Sequence, residues 1–395
     1  MSEIKVNSIK GVGASAAAIT VNNTDGTCTA NLTNRTNKNL IINGGMTIAQ
    51  RSVSSTSTGY GSVDRYSLNY GGTDEAPTIA QVDVASGTTP YTLGFLKALK
   101  LTNGNQTSGA GTADYMEVYQ YLEDQDIANS GWNFKSSSSF ITISFWIKSS
   151  VAQKFTGFFY TNEAGAGNSY MYSYEIDNGS GGNLTADTWT KVTHSIAGNS
   201  NLSFSNDNTK GLAVGFYPFN GTNYTTSDKA YDTWSSWDSS AKTRDMTSTW
   251  FATNDATLEI TGLQLEVGSV ATDFEHRSFG QELALCQRYL YVLCEGNNTP
   301  LGNGTCWTVS NVFIPVIFPV KMRAAPSMTV ATGSGYYSHF QNGTGAAESG
   351  ANFTLAVSLD TACEIYDNST NVTANASCFS RNQNAASKIT FSAEL

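Results

Sequence analysis

Phe140-Ile141-Thr142-Ile143-Ser144-Phe145-Trp146-Ile147 alternates strongly apolar side chains with others along its length. Successive side chains of a β-strand point to opposite faces, so this two-residue period predicts a strand with one face in a core. Similar stretches occur at residues 170–176, 188–193, 212–217 and 256–261. Turns rich in Gly, Asn, Ser and Thr separate them, which is the pattern expected of a β-sandwich.

Composition extends this prediction to the whole chain. Only 14% of the 395 residues are charged, whereas soluble domains average about 25%. Ser, Thr, Asn and Gly take their place, and aromatic residues reach 11%. Because this mixture disfavours long helices and suits strands joined by turns, we expect an all-β protein.

The charge balance bears on possible partners. The net charge is −10, and the sequence has no cluster of Lys and Arg that would neutralise a row of phosphates, so we expect no nucleic-acid partner. The most apolar run, residues 312–320, is interrupted by Pro315 and Pro319 and is too short to span a bilayer. The first residues lack the apolar core of a signal peptide. We expect a chain made in a cytoplasm, without membrane insertion.

Three regions follow one another along the chain. Residues 1–39 are small and polar and cannot bury a core alone, so we expect them to be ordered against another chain through Ile4, Val6, Ile19 and Val21. Residues 40–277 carry the sandwich pattern. Residues 278–395 begin with a capping box that Ser278 opens, which predicts a short linker helix, and then return to strands.

Three groups of residues carry a resemblance. The first is Asn39-Leu40-Ile41-Ile42-Asn43-Gly44-Gly45-Met46 with Val63-Asp64-Arg65-Tyr66 downstream. The second runs from Thr261-Gly262-Leu263-Gln264-Leu265-Glu266-Val267-Gly268 to Cys286-Gln287-Arg288-Tyr289. The third is Pro319-Val320-Lys321-Met322-Arg323-Ala324-Ala325-Pro326 with the terminal Phe391-Ser392-Ala393-Glu394-Leu395. Together they resemble a family of phage tail-fibre and other virion-surface proteins.

The resemblance implies both a fold and a role. Such proteins commonly trimerise and carry a central jelly roll similar to carbohydrate-binding modules. The expected fold is therefore a jelly-roll β-sandwich, a short linker helix and a smaller C-terminal β-sandwich domain. The expected protein is a homotrimeric tail fibre on the virion surface, joined to other virion proteins through residues 1–39 and binding a host cell-surface glycan. A capsid decoration or head-fibre protein and a glycan-cleaving tailspike stay open as alternatives.

Aromatic residues provide the candidate glycan-binding site. Tyr170, Tyr172 and Tyr174 alternate, so they share one face of a strand at a spacing of about 6.6 to 7 Å. A tyrosine ring can stack on the apolar face of a sugar while its hydroxyl donates a hydrogen bond. Trp234 and Trp237 lie in a loop rich in Ser and Asp, where exposed indoles need a surface to pack on. The alternative for both groups is packing within their own domain.

Signals for catalysis and metal binding are lacking in the sequence. It has no Gly-x-Ser-x-Gly elbow, and its three histidines are scattered without a second ligand at helical or hairpin spacing. Glu123, Glu175 and Asp187 are available as carboxylates for glycan cleavage, but their neighbours single out none of them. We expect no enzymatic activity, no cofactor and no catalytic metal. Residues 39–46 are also similar to the first strand of jelly-roll sugar-binding modules, in which a Glu after the Gly-rich turn often helps to hold a structural calcium. That position falls near Thr47 here, a poorer calcium ligand than a carboxylate, and a structural calcium stays open.

Overall fold

The computed structural model of the protein describes residues 8–9, 19–21, 28–30, 37–161, 169–342 and 347–395. Strands dominate this part of the chain, and its helices are few and short. The prediction of an all-β sandwich fold is confirmed. Within the same residues, no helix has the length and apolar character needed to cross a bilayer.

The N-terminal region contributes a small antiparallel sheet. Its strands, in spatial order, are β1 (Ser8–Ile9), β2 (Ile19–Val21) and β3 (Cys28–Ala30). Two of the predicted anchoring residues, Ile19 and Val21, lie in β2 and are half-buried. The other two, Ile4 and Val6, lie outside the described residues. An anchoring role for this region stays a prediction.

Two six-stranded antiparallel sheets form a β-sandwich. Its strands are β4 (Ser54–Ser55), β5 (Ser67–Gly71), β6 (Thr78–Asp83), β7 (Lys97–Thr102), β8 (Tyr115–Glu123), β9 (Phe140–Ser149), β10 (Phe155–Thr161), β11 (Tyr170–Ile176), β12 (Thr190–Ala197), β13 (Lys210–Asn220), β14 (Trp234–Ser236) and β15 (Thr257–Val267). The front sheet has the order β14-β11-β10-β13-β8-β5, and the back sheet has the order β12-β9-β15-β7-β6-β4. Short helices interrupt the strands at α1 (Thr89–Thr92), α2 (Asp124–Ala128) and α3 (Thr249–Ala252).

The core of the sandwich lies between these two sheets. Ile141, Ile143, Phe145 and Ile147, the alternate positions of β9, are buried in it. Phe145 of the back sheet meets Phe216 of the front sheet at 4.9 Å between ring centroids. Burying one such side chain stabilises the fold by about 1.5–3 kcal/mol, so the alternating positions hold the sheets together.

A capped helix leads to the C-terminal strands. Ser278 accepts a hydrogen bond from the Gln281 backbone N–H, and the Gln281 side chain accepts one from the Ser278 backbone N–H. This is the predicted capping box, and it opens α4 (Phe279–Gln287). The strands that follow are β16 (Leu290–Glu295), β17 (Pro300–Cys306), β18 (Val312–Ile317), β19 (Ser327–Val330), β20 (Tyr337–Gln341), β21 (Ala347–Gly350), β22 (Thr354–Ser358), β23 (Ala362–Asp367), β24 (Ser377–Asn382) and β25 (Lys388–Ser392).

The C-terminal strands build two further sheets around an apolar core of their own. One has seven strands in the order β21-β20-β24-β17-β18-β23-β22, and the other has three in the order β16-β25-β19. All strand pairs are antiparallel, as in the sandwich. The chain therefore buries apolar side chains in two main clusters, one on each side of α4.

Charged side chains join the sandwich to the C-terminal sheets. We call this set the junction; it consists of Arg65, Glu123, Arg288, Tyr289 and Glu394. Arg65 is fully buried, forms an ion pair with Glu394 and lies over the Tyr289 ring, with its guanidinium carbon 3.4 Å from the ring centroid. Arg288 donates two hydrogen bonds, of 2.6 and 2.7 Å, to the two oxygens of the Glu123 carboxylate. Members of all three resembling groups thus meet at the junction.

Candidate functional site

The tyrosines at alternate positions of β11 face the sandwich core. Tyr174 is 0% exposed and Tyr172 is 4% exposed, and Tyr170 packs half-buried against the same cluster. The Tyr174 ring stacks on His194 of the back sheet at 4.5 Å between centroids. Rings in this position cannot stack on a sugar. Their predicted role in glycan binding is therefore corrected: they are core residues.

The composition of the opposite face of β11 explains this orientation. Met171, Ser173 and Glu175 alternate with the tyrosines, and Glu175 forms an ion pair of 2.7 Å with Lys154. A carboxylate loses more hydration free energy on burial than a tyrosine, so the face that carries Glu175 turns away from the core. The tyrosine face consequently turns inwards.

The two predicted tryptophans have different positions. Trp234 is 9% exposed, and its indole N–H donates a hydrogen bond of 2.9 Å to the Ala197 carbonyl of β12. It closes the edge between the two sheets, so the prediction of a glycan contact is corrected for this residue also. Trp237 is 37% exposed and packs on Tyr160, with ring centroids 4.5 Å apart, on the outer face of the front sheet.

That outer face carries aromatic rings on two strands. Tyr119 and Tyr121 of β8 are half-buried there, because the row that alternates with them enters the core: it consists of three apolar residues and Gln120, whose amide is hydrogen-bonded to the Ile42 backbone. Phe158 and Tyr160 of β10 take the same face, since Phe155 and Phe159 fill the core on the other side. Phe158 is only 4% exposed there, so Tyr160, which is half-buried, is the ring of β10 that a ligand can reach. The sequence interpretation missed these four rings, although β8 shows the same alternation of tyrosines as β11.

Small residues separate the two aromatic rows. On β13, which lies between β10 and β8, Gly215 pairs with Phe158 on one side and Tyr119 on the other. Ala213 pairs in the same way with Tyr160 and Tyr121. A Cβ atom at Gly215 would lie 2.6 Å from both the Phe158 ring and the Tyr119 Cβ atom. Only glycine therefore allows the two rows to stand this close.

This arrangement forms a cleft of about 240 Å³, which we call the front groove. Its walls are the aromatic rows on β8 and β10, and Ala213 and Gly215 lie between them. Further residues along it are Asn69, Glu117, Tyr217, Trp237 and Lys242. The segment of residues 221–248, which contains β14, places Trp237 and Lys242 over the sheet, and the Tyr217 ring beneath them stacks on Phe158 at 4.2 Å between centroids.

The hydroxyls of Tyr119 and Tyr121 are neutral hydrogen-bonding groups at physiological pH, because the pKa of each is raised. Burial raises the pKa of Tyr119, although a hydrogen bond with Ser67 opposes the shift. Burial, together with neighbouring tyrosines, raises the pKa of Tyr121 well above its usual value. A protonated phenol both donates and accepts hydrogen bonds. The groove thus presents the half-buried rings of Tyr119, Tyr121 and Tyr160 and the exposed ring of Trp237, with polar groups at their edges.

A charged pair lies at one end of the groove. The Asn69 amide donates a hydrogen bond of 2.8 Å to one oxygen of Glu117, and the other oxygen lies 3.8 Å from the ammonium nitrogen of Lys242. Four aromatic rings surround that ammonium group at 5.2–6.0 Å from their centroids. Cation–π attraction therefore helps to hold the segment of residues 221–248 on the sheet.

Other polar clusters are closed to ligands or already paired. His339 is fully buried and contacts Ser380 at 2.8 Å and Asp367 at 3.2 Å, so this constellation has no open position for a substrate. Glu123 is engaged at the junction. The described residues hold no group of three or more His, Cys, Asp or Glu side chains suited to a metal, and Thr47 is exposed.

Comparisons with known proteins add little. No family model matches the chain, and no curated protein matches it. Among solved structures, the enzymatically active domain of tailspike protein 4 from bacteriophage CBA120 is similar with a TM-score of 0.31 and 12% identity. That match covers 58% of this chain, which spans 21% of the length of the tailspike structure.

Two sugar-related structures are also among the matches. A putative sugar binding protein from Bacteroides thetaiotaomicron has a TM-score of 0.31 and 13% identity, covering 58% of this chain and all of its own. The structure of TmCBM61 in complex with β-1,4-galactotriose has a TM-score of 0.26 and 7% identity, covering 59% of this chain and 99% of its own.

Proposed function

We propose that this chain is a non-enzymatic structural protein of a phage virion, a tail fibre that binds host cell-surface glycans through the front groove. The groove carries the proposal: two rows of aromatic rings stand on either side of small residues, and tyrosine hydroxyls and a charged pair lie beside them. Ligand sites are typically concave and largely apolar, with a few polar groups that fix orientation. A sugar ring, apolar on one face and rich in hydroxyls at its edge, matches this surface.

The placement on a virion rests on the resemblance of the three residue groups. We propose a homotrimer displayed on the virion surface, attached to other virion proteins through residues 1–39. A single stacking contact contributes only about 0.5–1.5 kcal/mol beyond area burial, so one groove binds weakly. Three grooves per fibre would raise the apparent affinity through effective concentration.

A glycan array tests the proposal. The full chain is displayed on beads at high density and compared with Tyr160→Ala, which removes one wall of the groove. Tyr366→Ala, at a half-buried tyrosine of β23, is the control. We expect wild type and the control to bind the same glycans, and Tyr160→Ala to lose them while keeping the wild-type circular dichroism spectrum.

Two outcomes would redirect the proposal. Release of sugar from a bound glycan would favour a glycan-cleaving tailspike. Absence of binding to any glycan from a susceptible host would favour a capsid decoration or head fibre, whose position electron microscopy of the particle would reveal.

A further inference from the structure

The charged pair at the end of the front groove has unused hydrogen-bonding capacity. Glu117 and Lys242 approach to 3.8 Å, which is longer than a hydrogen bond. Their side chains are only 13% and 11% exposed, so neither is fully hydrated. Partly desolvated charges of this kind gain free energy when a ligand supplies the missing partner.

Both charged groups are held in place by other contacts. One Glu117 oxygen already accepts from Asn69, which leaves the other oxygen facing Lys242. The Lys242 backbone is tied down at both ends, because its N–H donates to the Tyr224 carbonyl and its carbonyl accepts from the Ser173 hydroxyl. Ring faces attract the Lys242 ammonium group but are weak acceptors, and among the described residues its N–H groups have no hydrogen-bond acceptor.

The pair restricts the class of ligand that fits. A carboxylate or phosphate would be repelled by Glu117, and an amine would be repelled by Lys242. Two hydroxyls on adjacent carbons can use both groups together, since one accepts from the ammonium and the other donates to the carboxylate. From the same position, the apolar face of the sugar can contact the aromatic walls.

We propose that Glu117 and Lys242 recognise a vicinal hydroxyl pair on a neutral sugar residue bound in the front groove. This inference rests on the proposed glycan binding and adds its chemical class. The charged pair would orient the sugar in the groove, and the aromatic rings would contribute most of the binding free energy. Charge-assisted hydrogen bonds are stronger and more directional than neutral ones, so the pair would set specificity.

Deoxy analogues of the bound sugar test the inference. The probe is the tightest-binding neutral glycan on the array, together with analogues that lack one hydroxyl each, titrated into the full chain. In wild type, we expect removal of either of two adjacent hydroxyls to weaken binding about 10- to 100-fold. In Glu117→Gln, the penalty for one of these hydroxyls should fall to roughly two- to tenfold, the effect of a neutral hydrogen bond.

Two further variants separate specificity from structure. In Lys242→Met, the loss of affinity caused by removing the neighbouring hydroxyl should be smaller than in wild type. Lys210→Met removes a lysine whose ammonium lies 4.6 Å from the Tyr121 ring centroid, outside the pair, and should leave both penalties unchanged. Glu117→Gln should also gain affinity for the matching sugar acid, because the repulsion is removed; a merely structural role for Glu117 predicts no such gain.

The result separates this inference from the proposed function. If wild type binds neutral glycans and Glu117→Gln retains the wild-type penalty for every hydroxyl, the assignment of the pair is wrong while glycan binding stands. If wild type binds no glycan at all, both proposals fall. If Lys242→Met disturbs the conformation of its segment, the affinities of Glu117→Gln for the deoxy analogues alone decide between these outcomes.

Discussion

The front groove and the junction use similar residue types for opposite purposes. At the junction, Arg65 and Glu394 are buried together and form a direct ion pair, with 0% and 6% exposed side chains. In the groove, Glu117 and Lys242 lie close without a direct hydrogen bond. Charges that pair directly hold parts of a chain together, whereas charges that lie beside a groove without a direct hydrogen bond are available to a ligand.

The two regions also differ in their relation to the resembling residue groups. The junction gathers members of all three groups, which identifies those residues as the contacts between the sandwich and the C-terminal sheets. The groove residues belong to none of them.

Breaking the junction should have the largest effect. Arg65→Met removes the fully buried partner of Glu394, which keeps an ion pair of 3.1 Å with the less buried Arg51. Breaking a buried pair costs about 3–5 kcal/mol, and because Arg51 remains we expect a loss near the lower end of this range. The matched control is Lys97→Met, whose partner Asp83 is 81% exposed in its side chain, so that the loss should stay within about 1 kcal/mol. Urea unfolding followed by circular dichroism measures both, and equal losses would contradict a junction built on buried charge.

Filling the space between the aromatic rows should have the next largest effect. In Gly215→Ala, the added methyl meets two ring-bearing residues and the Val118 carbonyl at 2.6 Å, so the rows must move apart. Overpacking of this kind costs about 1–3 kcal/mol of stability and should also weaken glycan binding. Gly280→Ala is the control, because nothing lies within 4 Å of its Cβ position. If Gly215→Ala binds glycans as wild type does, the spacing of the rows is not important.

The stability of the protein should depend on pH through Glu123 at the junction. Burial pushes the pKa of Glu123 up, but hydrogen bonds from Arg288 and Tyr289 outweigh this and hold the pKa below its usual value. The stability it contributes is present above its unfolded pKa of about 4.3 and is lost as pH falls through the lower folded pKa. Glu123→Gln should therefore show a shallower loss of stability between about pH 5 and pH 3 than wild type. Parallel curves would contradict this account.

The smallest effect is expected inside the core. The Tyr174 hydroxyl is buried without a hydrogen-bond partner among the described residues, so Tyr174→Phe should be neutral or slightly stabilising. Tyr172→Phe removes a hydroxyl that lies 3.1 Å from His194 and should cost about 0.5–1.5 kcal/mol. Thermal unfolding measures both. A large loss of glycan binding with intact stability in Tyr174→Phe would restore this row as a binding surface.

The fold could be predicted because its signals are local. Alternation along β9 and the capping box at Ser278 each involve neighbours in sequence, and both predictions agree with the structure. The pairing of strands into front and back sheets depends on contacts between distant residues, so it does not appear in any one segment.

The location of the site was harder to predict for a physical reason. Alternation shows which residues share a face of a strand. Whether that face enters the core depends also on the residues of the opposite face. On β8 the positions next to Tyr119 are Val118 and Gln120, within a row whose remaining members are apolar, and this row enters the core. On β11 the corresponding row contains Ser173 and Glu175, and the tyrosines enter instead. A comparison of the two faces of each strand therefore favours β8, rather than β11, as the strand whose tyrosines face outwards.

Calorimetric titration of the full chain with the tightest neutral glycan tests the location of the site most directly. It compares wild type, Trp237→Ala and Trp307→Ala, two substitutions of tryptophans with exposed rings, one on the front groove and one beyond the junction. The groove account predicts about a tenfold weaker affinity for Trp237→Ala, from lost stacking and apolar contact, and wild-type affinity for Trp307→Ala. Equal affinity in all three proteins, or a loss confined to Trp307→Ala, would contradict it.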